Sequence, residues 1–307
     1  TPAADGLYHK AVIMSGTVTH RILGCEGDGT AIVSALKERL GLRSAEELTT
    51  VPYELLRIAY NEVSVKLQEE GEYIGQAPLK DHDFCGFIDE APMRVETSGI
   101  PVLIGTVFGE FSAFVPTGAD RLHMDENAAI KTLKAELGEE AVRRMLPLFK
   151  NAYPERPVYD LLCLDSMFRP DTQLFIRERV RAGAKTYSCL FSQDMNLNHG
   201  SIPAHCADVP YFFGNTDMVP QTQQEGVKEL EEKMLSALTA FARTGNPGTD
   251  LLPAWPASTA DEEACMIFKD TCEVRVNHDR ELIPLHQKYI VPYSRKVNQI
   301  MMEKLQH

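Results

Sequence analysis

A histidine and a glutamate in this sequence have the side chains and the placement that acid–base chemistry requires. His205 follows the β-forming segment 186–191 and a loop of Asn, Gly and Pro residues, and Glu110 follows the aliphatic run 101–107. Both side chains are therefore expected just beyond the carboxyl ends of strands, where α/β sheets collect ligands and reacting groups. An imidazole can accept a proton near neutral pH, and a carboxylate can hold its tautomer and stabilise the imidazolium.

Each of these residues also has a purely structural interpretation. A single loop histidine is more often a partner of backbone groups than a catalyst, and a glutamate beyond a strand is often solvated or placed at a helix N-terminus. Their order along the chain, Glu110 and then His205, matches the last two members of a triad whose first member is a serine nucleophile. That order favours the catalytic interpretation.

The nucleophile of such a triad should lie in a G-x-S-x-G turn, and this sequence contains none. The nearest segment, 109–113, has one residue too many between its glycine and Ser112, so Ser112 is predicted to be a packed polar residue. Cys206 adjoins His205, but neighbours in an extended stretch point apart. A Cys–His dyad is therefore not expected.

Strand-like and helix-like segments alternate along the chain, which predicts a mostly parallel α/β sheet flanked by helices. The predicted strands are 10–14, 101–107, 186–191, 265–268 and 272–276. Helices are predicted at 31–42, 53–67, 125–148, 159–184, 224–243 and from 292 onward. A further short helix is predicted to begin at a capping box formed by Ser44 and Glu47. The helix 159–184 is expected to restart at Pro170, with Asp171 as the cap of its second half. The early helices and the irregular stretch 69–95 form a helical excursion between strands.

Composition and charge exclude several classes of partner. The 307 residues are 44% hydrophobic and 24% charged, as in an ordinary globular protein, and one domain is expected rather than two. The net charge is −13 and the basic residues are scattered, so neither nucleic acid nor an anionic membrane surface is an expected partner. No apolar run approaches the roughly 18 residues of a membrane span.

No metal-ligand spacing, P-loop or dinucleotide fingerprint occurs, so no cofactor is implied.

The seven cysteines are widely spaced and include no C-x-x-C pair. This usage predicts mostly reduced thiols and a cytoplasmic protein, with a disulfide between Cys265 and Cys272 left open. Five phenylalanines could line an apolar pocket, although aromatic residues near strand ends more often belong to the core. They are Phe84, Phe87, Phe108, Phe111 and Phe114.

Four segments in order resemble the carboxy-terminal portion of the type-B carboxylesterases, which include the cholinesterases and the bacterial para-nitrobenzyl esterases. They are GLYHKAVIMSG at 6–16, PVLIGTVFGEFSAF at 101–114, AHCADVPYFFGN at 204–215 and AFARTGNPGTDLLPAWP at 240–256. The resemblance implies a partial α/β-hydrolase fold with Glu110 as the triad acid and His205 as the triad base. It also matches Ser15 to a serine that supports the acid. The acid's turn reads Gly109-Glu110-Phe111 where the family commonly has D-E-G.

The same resemblance implies hydrolysis of small carboxylic esters through a serine acyl-enzyme. The serine and the oxyanion loop are expected upstream of Thr1, so residues 1–307 are interpreted as one catalytic domain that lacks its amino-terminal portion and is inactive alone. That missing portion is the expected protein partner. Two other functions stay open: a non-catalytic binding or adhesion protein of the same fold, and a lipase with a lid.

Overall fold

The computed structural model describes residues 1–17, 27–75, 78–112, 121–196 and 201–290. The helix predicted from residue 292 lies outside these ranges. Among the helices within them, none combines the length and the apolar composition that a membrane crossing requires.

The chain divides into two compact units, each with its own apolar core. One unit comprises Thr1–Asp5 and Thr19–Pro92, and the other comprises Gly6–Val18 and Met93–His307. The core of the first unit includes the buried residues Ile32, Leu36, Ala59 and Ile74. That residues 1–307 act as a single catalytic domain stays a prediction.

The first unit is the helical excursion that the sequence predicted. It contains α1 (Thr30–Leu40), a 3-10 helix (Glu46–Thr50) and α2 (Tyr53–Glu69). Helix α1 ends at Gly41 in the left-handed conformation, with φ of 68°, which a glycine adopts without steric cost. The predicted capping box was wrong, because the Glu47 carboxylate accepts the N–H of Arg43 and no side chain caps the 3-10 helix.

The second unit contains the sheet. Its strands are β1 (Ala11–Met14), β2 (Val102–Val107), β3 (Thr186–Phe191), β4 (Ala264–Phe268) and β5 (Glu273–Val276). They lie in that order, with the first four parallel and β5 antiparallel to β4. Every residue of β2 and β3 is buried, which explains why these strands read as continuous apolar runs. The mostly parallel sheet is confirmed.

Two predicted helices of this unit had the wrong bounds. The stretch 125–148 is two helices, α3 (Glu126–Leu137) and α4 (Glu139–Ala152), separated by Gly138. Gly138 has φ of 89° and ψ of 154°, a conformation that only glycine adopts readily. The stretch 159–184 is a 3-10 helix (Val158–Leu162) followed by α5 (Phe168–Arg181).

The cap of α5 was also assigned to the wrong residue. Asp165, and not Asp171, accepts the backbone N–H groups at the start of the helix, namely those of Met167, Phe168 and Arg169. Pro170 lies in the first turn, where a missing N–H removes no helical hydrogen bond. The proline therefore belongs to the helix start and does not restart a longer helix.

Helix α6 comprises Val209–Phe212 and helix α7 comprises Val227–Thr244, and α7 ends at Gly245 as predicted. Residues 282–290 are helical as well. Apolar residues pack against the sheet in three clusters. One includes Phe149 and Leu161, another includes Phe241 and Trp255, and a smaller one includes Ile104 and Ile176. The six cysteines in the described ranges, Cys265 and Cys272 among them, are free thiols.

Candidate active site

Glu110 is placed by a tight turn directly after β2. Its side chain folds back over the end of the strand, where the N–H of Val107 donates to Oε1 over 2.7 Å. A Cβ at Gly109 would lie 2.6 Å from Cγ2 of Ile202 and 3.0 Å from the carbonyl oxygen of Cys163, so this close approach requires glycine. The Gly109-Glu110-Phe111 sequence is thus compatible with a buried acid.

The loop after β3 brings His205 to this turn. The backbone N–H of His205 donates to the carbonyl oxygen of Glu110 over 2.7 Å, and Nδ1 lies 2.7 Å from Oε2. Ser112 Oγ donates to the carbonyl oxygens of Ile202 and Pro203, which ties the loop and the turn together. The predicted contact between the two side chains is confirmed, and the catalytic roles of both residues stay a prediction.

Ser15 completes the hydrogen bonds of the carboxylate. It follows β1, has φ of 49°, and its Oγ donates to Oε1 of Glu110 over 2.5 Å. The turns after β1 and β2 and the loop that follows β3 therefore contribute one side chain each to the same cluster, at the edge where the carboxyl ends of parallel strands lie. The Glu110 side chain is fully buried, whereas that of His205 is 43% exposed.

The hydrogen bonds and the burial of this cluster shift the proton affinities of its members. The hydrogen bond with Glu110 raises the pKa of His205 above its ordinary value, because a nearby carboxylate stabilises the imidazolium. Burial, followed by the charge of Glu110, raises the pKa of Asp208 to about 6 and that of Asp165 to about 7. Two further buried acids thus lie within electrostatic reach of Glu110.

The sequence did not identify Asp165 and Asp208 as members of the cluster. Asp165 stands three residues before the first residue of α5 and Asp208 one residue before α6, so a search for helix caps could have found both. Their burial beside Glu110 depends on tertiary packing, for which the local sequence gives no signal.

The hydroxyl and thiol side chains near this cluster do not suit the role of nucleophile. Ser15 and Ser112 use their hydroxyl hydrogens in the hydrogen bonds to Glu110 and to backbone carbonyls. Cys206 is an exposed residue with a left-handed backbone conformation, φ of 68°. The pKa of its thiol is raised by the protein atoms that cover part of it and by the charges of Asp208 and Glu110. A raised pKa leaves less of the reactive thiolate.

The phenylalanines predicted as pocket or core residues have different surroundings. Phe108 is fully buried in the core, and Phe84 packs edge-on against Phe87 in the first unit. Phe111 is partly buried beside the ring of His205. Phe114 lies outside the described residues.

Comparison with known proteins identifies relatives over most of the chain. The model of the carboxylesterase family matches residues 1–282. The chain is 27% identical over 296 residues to a para-nitrobenzyl esterase of Bacillus subtilis (strain 168), covering 91% of this chain and 56% of that protein. It is 26% identical over 289 residues to a phenmedipham hydrolase of Pseudarthrobacter oxydans, covering 88% and 55%.

One solved structure is similar in both sequence and shape. It is described as an esterase from anaerobic Clostridium hathewayi that can hydrolyse aliphatic aromatic polyesters, and it is 37% identical with a TM-score of 0.85. The match covers 94% of this chain and 58% of that one. The chain therefore spans little more than half the length of these proteins.

Proposed function

The chain belongs to the carboxylesterase family and has the fold of the α/β-hydrolase esterases, and from this we propose that the protein containing it hydrolyses carboxylic esters through a serine acyl-enzyme. In this proposal Glu110 is the acid and His205 the base of the catalytic triad. Ser15 holds the carboxylate of Glu110 in place. The serine nucleophile lies outside residues 1–307.

The proposal rests on the 2.7 Å contact between Nδ1 of His205 and Oε2 of Glu110. With the Nδ1 hydrogen donated to the carboxylate, the neutral ring carries its lone pair on Nε2. That nitrogen would take the hydroxyl proton of the serine as it attacks the ester carbonyl, and would return it to the leaving alcohol. The pKa of His205 is raised, which means that the imidazolium formed between these two proton transfers is stabilised.

The hydrogen bonds of the nearby serines support a nucleophile that lies outside the chain. Removing Ser15 Oγ from Glu110, or Ser112 Oγ from its carbonyl partners, would leave buried acceptors with fewer donors. We therefore expect residues 1–307 alone to lack esterase activity. The nucleophile and the oxyanion hole provide the main part of the rate enhancement in such enzymes.

The matched proteins indicate which substrates to assay first. A para-nitrophenyl ester of a short acid reports ester hydrolysis by its coloured product. An aliphatic aromatic polyester tests whether this protein shares the substrate of the Clostridium hathewayi esterase. Small carboxylic esters are the substrate class that we propose.

A fluorophosphonate probe, which labels activated serines, tests the proposal. The experiment compares the full protein that contains this chain with residues 1–307 alone, and measures both labelling and hydrolysis of the para-nitrophenyl ester. We expect the full protein to be active and labelled on a serine outside the 307 residues. The shorter chain should show neither property, and His205→Ala should abolish both in the full protein.

Two outcomes would contradict this assignment in different ways. Hydrolysis by residues 1–307 that disappears on Ser112→Ala would place the nucleophile inside the chain. A correctly folded full protein with neither labelling nor turnover would instead favour the binding or adhesion function.

A further inference from the structure

The contact with Glu110 fixes one nitrogen of His205 but not the plane of its ring. An imidazole held by this single hydrogen bond can still rock about its own Cβ–Cγ bond, and each excursion lengthens the contact between Nδ1 and Oε2. Such rocking would move Nε2, the atom proposed to exchange a proton with the nucleophile. General base catalysis requires that atom to stay within hydrogen-bonding distance of the reacting hydroxyl, so a second constraint on the ring is needed.

Two phenylalanine rings lie nearly parallel to the imidazole. The centroid of Phe168 is 5.5 Å from that of His205 with 15° between the planes, and the centroid of Phe111 is 6.2 Å away with 10° between the planes. The two phenylalanines are themselves 6.0 Å apart at 23°. These are the distances of offset-stacked aromatic pairs. Because the three separations are similar, the rings form a cluster and not a sandwich.

Both phenylalanines are attached to rigid parts of the structure. Phe111 directly follows Glu110, so the residue that fixes Nδ1 also places one of the stacking rings. Phe168 is the first residue of α5, and Asp165 holds its backbone N–H together with those of Met167 and Arg169.

The residue after Phe168 anchors the helix on its other side. The Arg169 guanidinium donates two hydrogen bonds to the buried carboxylate of Asp279, over 2.9 and 2.8 Å. It donates a third to Glu263 over 2.8 Å. Phe168 thus lies between a backbone cap and a buried ion pair, which together fix its backbone beside the imidazole.

We propose that Phe168 and Phe111 are positioning residues that fix the ring plane of His205 by offset stacking. This inference rests on the proposed function, because it assigns the two rings to the base of that triad. The phenylalanines transfer no proton themselves. They restrict the rocking that the single hydrogen bond with Glu110 does not prevent. As a result, Nε2 keeps pointing toward the position proposed for the nucleophile.

The proposal can be tested on the 307-residue chain without an activity assay. The Nδ1 hydrogen of His205, donated to a buried carboxylate, should give a resolved downfield proton resonance whose exchange with water can be measured by NMR. Rocking of the ring breaks that hydrogen bond, so Phe168→Leu should speed the exchange by about fivefold, the factor that one aromatic pair is worth. Phe168→Tyr, which keeps the ring, should restore the slow exchange.

Phe175→Leu is the matched control, because Phe175 lies on the same helix and its ring faces Arg179. This variant should leave the exchange rate of the His205 proton unchanged. Phe111→Leu provides a second test if Phe168→Leu fails to fold, which thermal unfolding would reveal, and it should also speed the exchange.

A folded Phe168→Leu or Phe111→Leu variant with the parent's exchange rate would overturn the positioning role. Equal acceleration by Phe175→Leu would do the same, because it would indicate general loosening of α5. Glu110→Gln separates this outcome from failure of the proposed function. The resonance should disappear in that variant, and its persistence would show that Glu110 does not hold the imidazole.

Discussion

Two histidines of the described chain each lie beside a buried carboxylate, and their pKa values move in opposite directions. His205 has Nδ1 at 2.7 Å from Glu110 Oε2, whereas His278 has Nε2 at 3.8 Å from Asp279 Oδ2. Neither ring nitrogen of His278 has a hydrogen-bond partner among the residues that the structure describes. The pKa of His205 is raised by its hydrogen bond with Glu110, and the pKa of His278 is lowered by burial.

Two differences accompany these opposite shifts: the His278 side chain is only 5% exposed against 43% for His205, and the two carboxylates bind different partners. Both oxygens of Asp279 accept hydrogen bonds from Arg169, and Gln173 and Tyr153 add one each. Burial raises the pKa of Asp279, but the facing Arg169 outweighs it and brings the pKa well below the ordinary value. His278 therefore meets a carboxylate whose charge is already compensated.

Glu110 has neutral partners in place of a guanidinium. Ser15 and the N–H of Val107 donate to Oε1, which leaves Oε2 to the imidazole. No cation in the described residues makes a salt bridge with Glu110 other than His205. The buried acid paired with arginine therefore suits an anchoring role, whereas the acid held by neutral donors raises the pKa of a partly exposed histidine.

The largest expected effect is at Glu110, where the comparison predicts a change in catalysis. Glu110→Gln in the full protein should lower kcat by about 10⁴-fold, the loss seen when an amide replaces the acid of a Ser-His-Asp triad. The amide keeps the shape of the side chain but cannot hold the imidazole tautomer or stabilise the imidazolium. Steady-state kinetics on a para-nitrophenyl ester would measure this loss.

A surface substitution of the same type controls for this experiment. Glu178→Gln on α5 removes a carboxylate that pairs with Arg181 at the surface, and it should leave kcat unchanged. A loss of less than tenfold in Glu110→Gln would contradict the role that we assign to the acid.

The second effect is at Arg169, where the comparison predicts a loss of stability. Arg169→Met removes the compensating cation and leaves Asp279 and Glu263 buried without it, which should destabilise the fold by about 3–5 kcal/mol. Urea unfolding followed by circular dichroism would measure the change. Arg181→Met, on the exposed face of the same helix, should change the free energy of unfolding by less than about 1 kcal/mol. Similar losses in both variants would contradict the anchoring role.

Most of the sheet and the central contact of the site could be predicted from the sequence. The apolar runs 101–107 and 186–191 are long enough and rich enough in β-branched and aromatic residues to identify β2 and β3. Once these strands are parallel neighbours, residues just after each one must approach at the same edge. The rule brings the loop after β3 to the edge where Glu110 lies, and it favours a contact between Glu110 and His205.

The remaining features depend on tertiary contacts that local sequence does not report. The α5 cap was misassigned because Asp165 and Asp171 are equally plausible by residue type. Only the fold shows that the N–H of Asp165 donates to the carbonyl oxygen of Phe108 and so fixes this residue beside the site. Burial of Asp208 near Glu110 is likewise a property of packing. The break at Gly138 was missed because an isolated glycine is tolerated inside a helix.

A smaller effect is expected at Asp208, which is buried and makes no salt bridge with an arginine of the described ranges. Its pKa is raised from 3.8 to about 6, so the folded state binds its proton more tightly than the unfolded state does. This contribution to stability is complete below about pH 4 and is lost as the pH rises through about 6. Asp208→Asn should remove that dependence and be up to about 3 kcal/mol more stable than the parent above pH 6, at about 1.4 kcal/mol per pH unit.

Urea unfolding at a series of pH values would measure this effect. Asp250→Asn, a substitution of an exposed aspartate, should give the parent's pH profile. An Asp208→Asn profile that is parallel to the parent's between pH 4 and 6 would show that burial does not raise the pKa of Asp208.

The smallest effect is the opposite shift of the pKa values of His205 and His278. Measuring it tests the comparison of the two histidines most directly. In the folded chain, NMR should place the midpoint of His205 above 6.5 and that of His278 below it. The raised pKa of His205 stabilises the fold at low pH, and that contribution is lost as the pH rises through the folded value. The lowered pKa of His278 stabilises the fold at high pH, and that contribution is lost as the pH falls. Glu110→Gln should bring the midpoint of His205 down and leave that of His278 in place, because the carboxylate beside His278 is unchanged. Midpoints on the same side of 6.5 in the parent would contradict the opposite pKa shifts of the two histidines on which the comparison rests.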